Sequence, residues 1–271
     1  MKPVLKAVIL IAIMCVTGCS KEVQSSSNIA RINSENSSSV HPLSPLQDTP
    51  KSSISATAAD PINPAAAVIN NVKKDGLFVA LTFDDGPDDK YTPRILDILK
   101  KEQVQATFFV IGEQAKQHPQ MIKRIVNEGH VIGNHTWDHP NLSKETTDKI
   151  QSEIGSTDDL IKQITGKAPT LFRAPYGAIS PQVAKEAASS GHQLIGWSVD
   201  TLDWDGKSVS QILSNVRKEV RPGSIILQHF AGGKKGNLNN TVEALPQIIS
   251  YLKQKGYSFA TVPDHLATNS K

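Results

Sequence analysis

Leu77-Phe78-Val79-Ala80-Leu81-Thr82-Phe83-Asp84-Asp85-Gly86-Pro87 is an apolar, β-rich run that stops on two carboxylates and a Gly-Pro pair. It reads as a strand over Leu77–Phe83 followed by a turn. Adjacent carboxylates in a regular strand point to opposite faces. A turn at Gly86-Pro87 can bring both towards one site. Taken alone, an Asp-rich turn that only satisfies backbone amides explains the residues equally well.

Working outward, similar short runs recur at Ala106–Ile111, Val131–His135, Thr170–Ala174, Leu194–Val199, Ser224–His229 and Tyr257–Val262. Amphipathic stretches separate them. Thr92-Pro93 and Ser180-Pro181 read as an N-cap followed by proline at the first helical position. Gly129, Gly166, Gly191 and Gly256 stand where helix C-terminal caps belong. Ile150, Ile154, Ile161 and Ile164 recur at helical spacing after Ser143. Seven strands alternating with helices predict an α/β fold with a parallel, barrel-like sheet and no internal repeat.

Chemistry-bearing residues collect at the strand ends. His135-Thr136-Trp137-Asp138-His139 closes the third strand, and two imidazoles four apart on a tight turn suit a shared metal. Asp84 or Asp85 can complete a set of two histidines and one carboxylate with open positions. Arg173-Ala174-Pro175-Tyr176-Gly177 closes the fourth strand, and its arginine can pair with a carboxylate. Asp200-Thr201-Leu202-Asp203-Trp204 follows the fifth, and Leu227-Gln228-His229 ends the sixth. Each group alone is weak evidence. Together they occupy the C-terminal ends of successive strands, the active-site face of a parallel barrel.

These five segments, in this order, resemble those of the polysaccharide deacetylases of carbohydrate esterase family four, the NodB homology domain. The resemblance runs from about Leu77 to Val262. It implies a distorted (β/α) barrel of about seven parallel strands and a divalent metal, zinc first, with cobalt or nickel as alternatives. Asp84 resembles the family's catalytic base, and Asp85, His135 and His139 its metal ligands. Arg173 resembles the residue that orients the base, and Tyr176 the residue whose backbone N–H binds the oxyanion. Asp203 resembles the partner of the catalytic histidine, His229; Asp200 is the alternative. Trp204 and Leu227 resemble walls of the pocket for the acetyl methyl. The implied activity is removal of acetyl groups from N-acetylglucosamine polymers, peptidoglycan foremost. One position departs from the pattern: many members follow the histidine with an acid, and here Phe230 follows.

The N-terminal part carries a different message. Lys2 and Lys6 precede an apolar run from Ala7 to Val16 that is too short to span a bilayer. It ends in Val16-Thr17-Gly18-Cys19, which resembles a lipobox. Residues 1–18 are expected to be a signal peptide and Cys19 the lipid-modified N-terminus. Cys15 then leaves with the signal, so no intramolecular disulfide can form. Losing Lys2 and Lys6 takes the net charge from +3 to +1, which lacks the basic excess of a nucleic-acid binder. Residues 19–74 are rich in Ser, Ala, Asn and Pro, with no aromatic residue before Phe78. They are expected to form a flexible tether, whose roughly 50 residues span about 40 Å on average. The domain is placed at 75–266 and a short tail at 267–271. The expected protein is exported, anchored to a membrane through Cys19, facing outward, monomeric, and acts on an N-acetylated polysaccharide.

Three other classes are weaker. A retired, non-catalytic member would have lost the base, a ligand or the catalytic histidine, and none is lost. A non-haem iron oxygenase shares the two-histidine, one-carboxylate set but needs neither the extra Asp, Arg and His nor the strand order. A two-carboxylate glycosidase needs its acids about 5 to 9.5 Å apart, which adjacent Asp84 and Asp85 fit poorly. His41, His118, His130, His192 and His265 have no partners in sequence to complete a site and read as structural or solvated. Cys19→Ala is expected to leave an uncleaved or misplaced precursor while the separated domain stays active. Membrane fractionation and the precursor's mass check this; normal processing and retention would contradict the lipobox reading.

Overall fold

The computed structural model describes residues 67–72 and 76–266. The signal segment, Cys19, His41, the tether up to residue 66 and the tail 267–271 lie outside the described residues. The elements, in order, are β1 (Phe78–Asp84), α1 (Thr92–Glu102), β2 (Thr107–Val110), α2 (Gly112–Gln117), α3 (Pro119–Asn127), β3 (Val131–Asn134) and α4 (Thr147–Thr165). Then come β4 (Leu171–Phe172), α5 (Pro181–Ser189), β5 (Gln193–Leu194), β6 (Val199–Asp200), α6 (Val209–Glu219), β7 (Ser224–His229), α7 (Asn239–Gln254), β8 (Ser258–Phe259) and α8 (Val262–Leu266).

Seven strands form one parallel sheet in the order β5-β4-β3-β2-β1-β7-β6. The eighth, β8, pairs with the start of β1 at Phe78 and Val79. Only four residues join β5 and β6, the two outer strands of this order. Flat, seven strands would hold those edges about 29 Å apart, yet the connection from Leu194 to Val199 reaches about 17 Å at most. The sheet must therefore curl into the barrel-like form that the strand pattern predicts.

Alternation along β1 divides the core. Val79, Leu81 and Phe83 join the large apolar cluster with Ile95 and Leu99 of α1 and Leu245 and Ile249 of α7. Ala80 instead packs with Phe109, Leu171, Ile195 and Ile225, all from strands or the β5–β6 connection, which marks the barrel interior. Asp84 falls on this inner set, two pleats above Ala80. Ile150, Ile154 and Ile161 are buried on α4, and Ile164 packs partly against the core. Ser180 caps α5 by accepting from Val183 N–H at 3.2 Å. Thr92 is already helical, with Pro93 second in α1; Asp88 accepts from the Thr92 amide at 2.9 Å. Among the described residues, no helix is long and apolar enough to cross a membrane.

Two features differ from the sequence reading. The single strand expected over Leu194–Val199 is two strands on opposite edges of the sheet. Its middle is claimed by a distant segment: Ile195 bridges Ile69, and Gly196 N–H donates to Ile69 C=O at 2.9 Å. A Cβ on Gly196 would sit 1.9 Å from Asn70 Oδ1, so a larger residue there would displace the Asn70 side chain. The same segment moves the domain boundary. Residues 69–72, expected at the end of the tether, are tied to the barrel: Asn71 bridges Ser224, Val72 N–H donates to Gly223 C=O at 2.9 Å, and Val72 is buried. Starting the chain at Gly76 rather than Ala67 is therefore expected to cost about 2–4 kcal/mol of stability. Urea unfolding midpoints check this; equal midpoints would mean that the segment adds nothing.

Candidate active site

Because every strand of the sheet runs the same way, the strand ends gather on one rim, and local backbone turns aim their side chains. Asp84 is the last residue of β1, and Asp85 leaves the strand with φ 79°. That left-handed residue breaks the pleat and swings the second carboxylate to the same side as the first. Gly86 lies directly over the Phe230 ring, where a Cβ would come within 2.5 Å. Phe230 is fully buried, stacks edge-on against Phe108, and donates its N–H to Asp84 C=O at 3.0 Å. The departure at this position is thus a core residue beneath the Asp-Asp turn.

Asp85, His135 and His139 converge. Asp85 Oδ1 lies 3.4 Å from His135 Nε2 and 3.2 Å from His139 Nε2. One ligand atom from each lies within 4.8 Å of the others. The pair is not helical; Thr136 and His139 both take left-handed φ, 70° and 63°. His135 Nδ1 faces Arg173 C=O at 2.7 Å, and His139 Nδ1 faces Tyr176 Oη at 3.2 Å. With Nδ1 engaged, each ring offers Nε2 inward. Asp85 Oδ1 is buried without a hydrogen-bond partner. A buried, unpartnered anionic oxygen facing two imidazole nitrogens fits a divalent cation, and a two-histidine, one-carboxylate set is a catalytic zinc donor set. Burial pushes the Asp85 carboxyl up, but the facing rings of His135, His139 and His229 outweigh this and hold it well below the usual range.

Asp84 and Arg173 form a second group. Arg173 Nη1 donates to Asp84 Oδ1 at 2.7 Å and to Thr82 Oγ1 at 2.9 Å. Its Nη2 donates to Gly196 C=O at 2.8 Å, and its guanidinium lies over the Phe109 ring at 4.1 Å. Burial lowers the Arg173 pKa, and the Asp84 charge opposes that shift. Asp84 Oδ2 is left facing His135 Nε2 at 3.9 Å.

His229 and Asp203 form the third. Asp203 Oδ1 meets His229 Nδ1 at 2.8 Å, and Asp203 Oδ2 accepts from the His229 amide and from Thr241 Oγ1, each at 2.9 Å. Asp200 instead accepts from the Leu202 amide at 2.8 Å. Of the two acids left open by the sequence, Asp203 is the one that meets the ring. His229 Nε2 points towards the trio, 4.0 Å from Asp85 Oδ2. Burial pulls the His229 pKa down, but the charge and hydrogen bond of Asp203, with Asp85 and Asp84 behind, raise it to about 9.

Around these groups, Tyr176 has φ 59° and is 68% exposed, Trp204 is 45% exposed, and Leu227 is buried on β7 two residues before His229. Thr82, Thr241 and Glu153 are contacts that sequence reading missed. Glu153 accepts from the Trp137 and Asp138 amides at 2.8 and 3.1 Å, inside the histidine turn. It shares the buried face of α4 with Ile150, Ile154 and Thr157, and an acid on such a stripe was its available signal. His118 lies beside Asp89, His130 accepts from the Ala106 amide, and His192 pairs with Asp158, so none joins the site.

A sequence model of the polysaccharide deacetylase family matches residues 71–195. The chain is 48% identical over 193 residues to a peptidoglycan-N-acetylglucosamine deacetylase of Bacillus cereus, covering 71% of this chain and 70% of that protein. It is 39% identical over 203 residues to a peptidoglycan-N-acetylmuramic acid deacetylase of Bacillus subtilis, covering 73% and 74%. Among solved structures, a peptidoglycan N-acetylglucosamine deacetylase in complex with 4-naphthalen-1-yl-N-oxidanyl-benzamide superposes with a TM-score of 0.70 at 46% identity, over 72% of this chain and 91% of that one. A family-four pseudoenzyme from Bacillus anthracis superposes with a TM-score of 0.69 at 32% identity, over 74% and 69%. The chain belongs to the polysaccharide deacetylase family, hydrolases that act on carbon–nitrogen amide bonds.

In the metal-free protein, His229 is expected to titrate near 9, and Asp203→Asn to lower that value, since burial is then opposed only by the charges of Asp85 and Asp84. Because the folded value is the higher one, this pair's contribution to stability is full below about pH 6.5 and is lost as the pH rises through 9. Imidazole NMR titration of both proteins checks it; equal values would remove Asp203 as the cause.

Proposed function

We propose that this chain is a metal-dependent peptidoglycan deacetylase that hydrolyses the acetamido group of N-acetylglucosamine residues and releases acetate. The observation that carries this reading is the convergence of three intact groups on one rim: Asp85 with His135 and His139, Asp84 with Arg173, and His229 with Asp203. Since the family includes a pseudoenzyme, membership alone does not make an active enzyme, and the complete set is what argues for one. Asp85, His135 and His139 would hold the cation, zinc first, with cobalt or nickel as alternatives. When bound, it supplies a Lewis acid that polarises the amide carbonyl and makes water a stronger acid.

The remaining work falls to protein groups. Asp84 is held at Oδ1 by Arg173, which leaves Oδ2 to take the proton of the attacking water. The Tyr176 backbone N–H is assigned to the oxyanion that forms as the carbonyl becomes tetrahedral. The amine leaves only if protonated. His229, turned by Asp203 so that Nε2 faces the site, delivers that proton. The carbon–nitrogen bond breaks, and acetate and a free sugar amine are the products. Trp204 and Leu227 are assigned as walls for the methyl group.

N-acetylglucosamine is preferred over N-acetylmuramic acid because the higher identity is to the relative named for the former. Export and outward-facing anchorage through a lipidated Cys19, with residues 19 to about 66 as the tether and the domain as a monomer, complete the proposal. Export and anchorage are supported by the lipobox-like Val16-Thr17-Gly18-Cys19.

The test is acetate release by the domain on peptidoglycan, poly-N-acetylglucosamine and chitin oligomers, with and without chelator. Chelator-sensitive release is expected, strongest on peptidoglycan; none from any polymer would leave a retired domain. Asp84→Asn should lose roughly 10²–10⁴-fold in rate with metal retained. Asp85→Asn should lose metal affinity and be partly rescued by excess metal. The reverse pattern would exchange the two roles.

A further inference from the structure

The five-residue turn that carries both histidines has little regular structure of its own, yet all of its amides are occupied. His135 N–H donates to Val110 C=O at 2.9 Å, and Thr136 N–H to Asn134 Oδ1 at 2.8 Å. His139 N–H donates to Thr136 Oγ1 at 3.1 Å. The two amides in the middle, Trp137 and Asp138, both donate to Glu153 Oε2, at 2.8 and 3.1 Å. On the carbonyl side, the Gly112 and Glu113 amides at the start of α2 donate to Thr136 and Trp137 C=O at 2.9 and 3.0 Å. The turn is clamped between α2 and α4, and Glu153 is its only contact from α4 to the central amides among the described residues.

Glu153 is 2% exposed and sits fifteen to sixteen residues beyond the amides it binds. Its other oxygen, Oε1, is held by Lys149 Nζ at 2.5 Å, one helical turn back. A buried carboxylate in a helix interior is costly unless paired and hydrogen-bonded. Here both oxygens are spent, one on a cation and one on the turn. Two left-handed residues, Thr136 and His139, must be kept in place for the imidazoles to meet Asp85. Left-handed φ in non-glycine residues persists only where the surroundings over-determine it.

We propose that Glu153 is a positioning residue for the histidine pair, fixing the 135–139 backbone and thereby setting the affinity of the site for metal. This rests on the metal-binding reading of Asp85, His135 and His139. Glu153 does not touch the ligand atoms; it acts through the backbone between them.

The experiment measures Co(II) affinity by chelator competition, and the Co(II) absorption spectrum, for wild type, Glu153→Ala, Glu153→Gln and Glu153→Asp, with thermal unfolding of each. Glu153→Ala, which leaves two amides without an acceptor, should bind Co(II) about 10–100-fold more weakly and with an altered spectrum. Glu153→Gln keeps an oxygen for the amides and should lie nearer wild type. Glu153→Asp keeps the charge but withdraws it by one methylene, and should resemble Glu153→Ala. A purely structural glutamate would lower the unfolding temperature and leave the affinity of the folded protein alone. A folded Glu153→Ala within twofold of wild type would therefore overturn the proposal. If that variant does not fold, Glu153→Asp decides by the same criterion. Acetate release by wild type is run alongside. Co(II) binding without acetate release overturns the proposed activity and leaves this inference standing; wild type that binds no Co(II) overturns both.

Discussion

One buried cation holds the site together. Arg173 is 1% exposed, and its guanidinium is committed to Asp84, Thr82 and the Gly196 carbonyl, which lie on β1 and in the connection between the sheet's outer strands. Its own carbonyl meets His135 Nδ1. A single residue just past β4 thus reaches the base with its side chain and a metal-ligand candidate with its backbone. A charge this deep is stable only with its partners in place, because removing one leaves the other uncompensated. The Asp84–Arg173 pair therefore demands that β1, β4 and the β5–β6 connection meet in one register. The catalytic arrangement and the closure of the barrel become the same requirement.

The rest of the rim is built by backbone conformations that side chains resist. Seven non-glycine residues among those described have positive φ, and five of them, Asp85, Thr136, His139, Tyr176 and Leu202, belong to or adjoin the site. Each is a departure that costs on the order of 1–3 kcal/mol. They turn consecutive or near-consecutive side chains towards one point, which a regular strand end cannot do. The clamps around them, Glu153 on the histidine turn and Phe230 under the Asp-Asp turn, keep those conformations populated.

The strand ends were readable because the chemistry sits there in short, dense clusters: Asp84-Asp85, His135 with His139, Arg173, Asp203 and His229. Periodicity on α4 and the glycines after the helices were equally plain. What escaped depends on contacts between remote residues. Leu194 to Val199 is continuous in β propensity, and only pairing with Ile69 divides it. Ile69 and Val72 sit in Ala- and Asn-rich surroundings that hide two residues with a place in the fold. Asp200 and Asp203 are alike in sequence, and the left-handed Leu202 decides which meets His229. Glu153 looks like one more charge on a helix until its position between Ile150 and Ile154 is set beside the amides it faces.

The four residues between β5 and β6 act as a clasp on a ring. Asp203, just past β6, and His229, on β7, stand to one side of β1, while His135, His139 and Arg173 lie just past β3 and β4, to the other. The gap in which a substrate would sit is therefore bounded by a loop of fixed contour length on the far side of the circle. Its width is measured out in backbone units at Ile195, Gly196, Trp197 and Ser198, so the reach of a proton donor across the pocket is set by chain that need not touch the substrate at all.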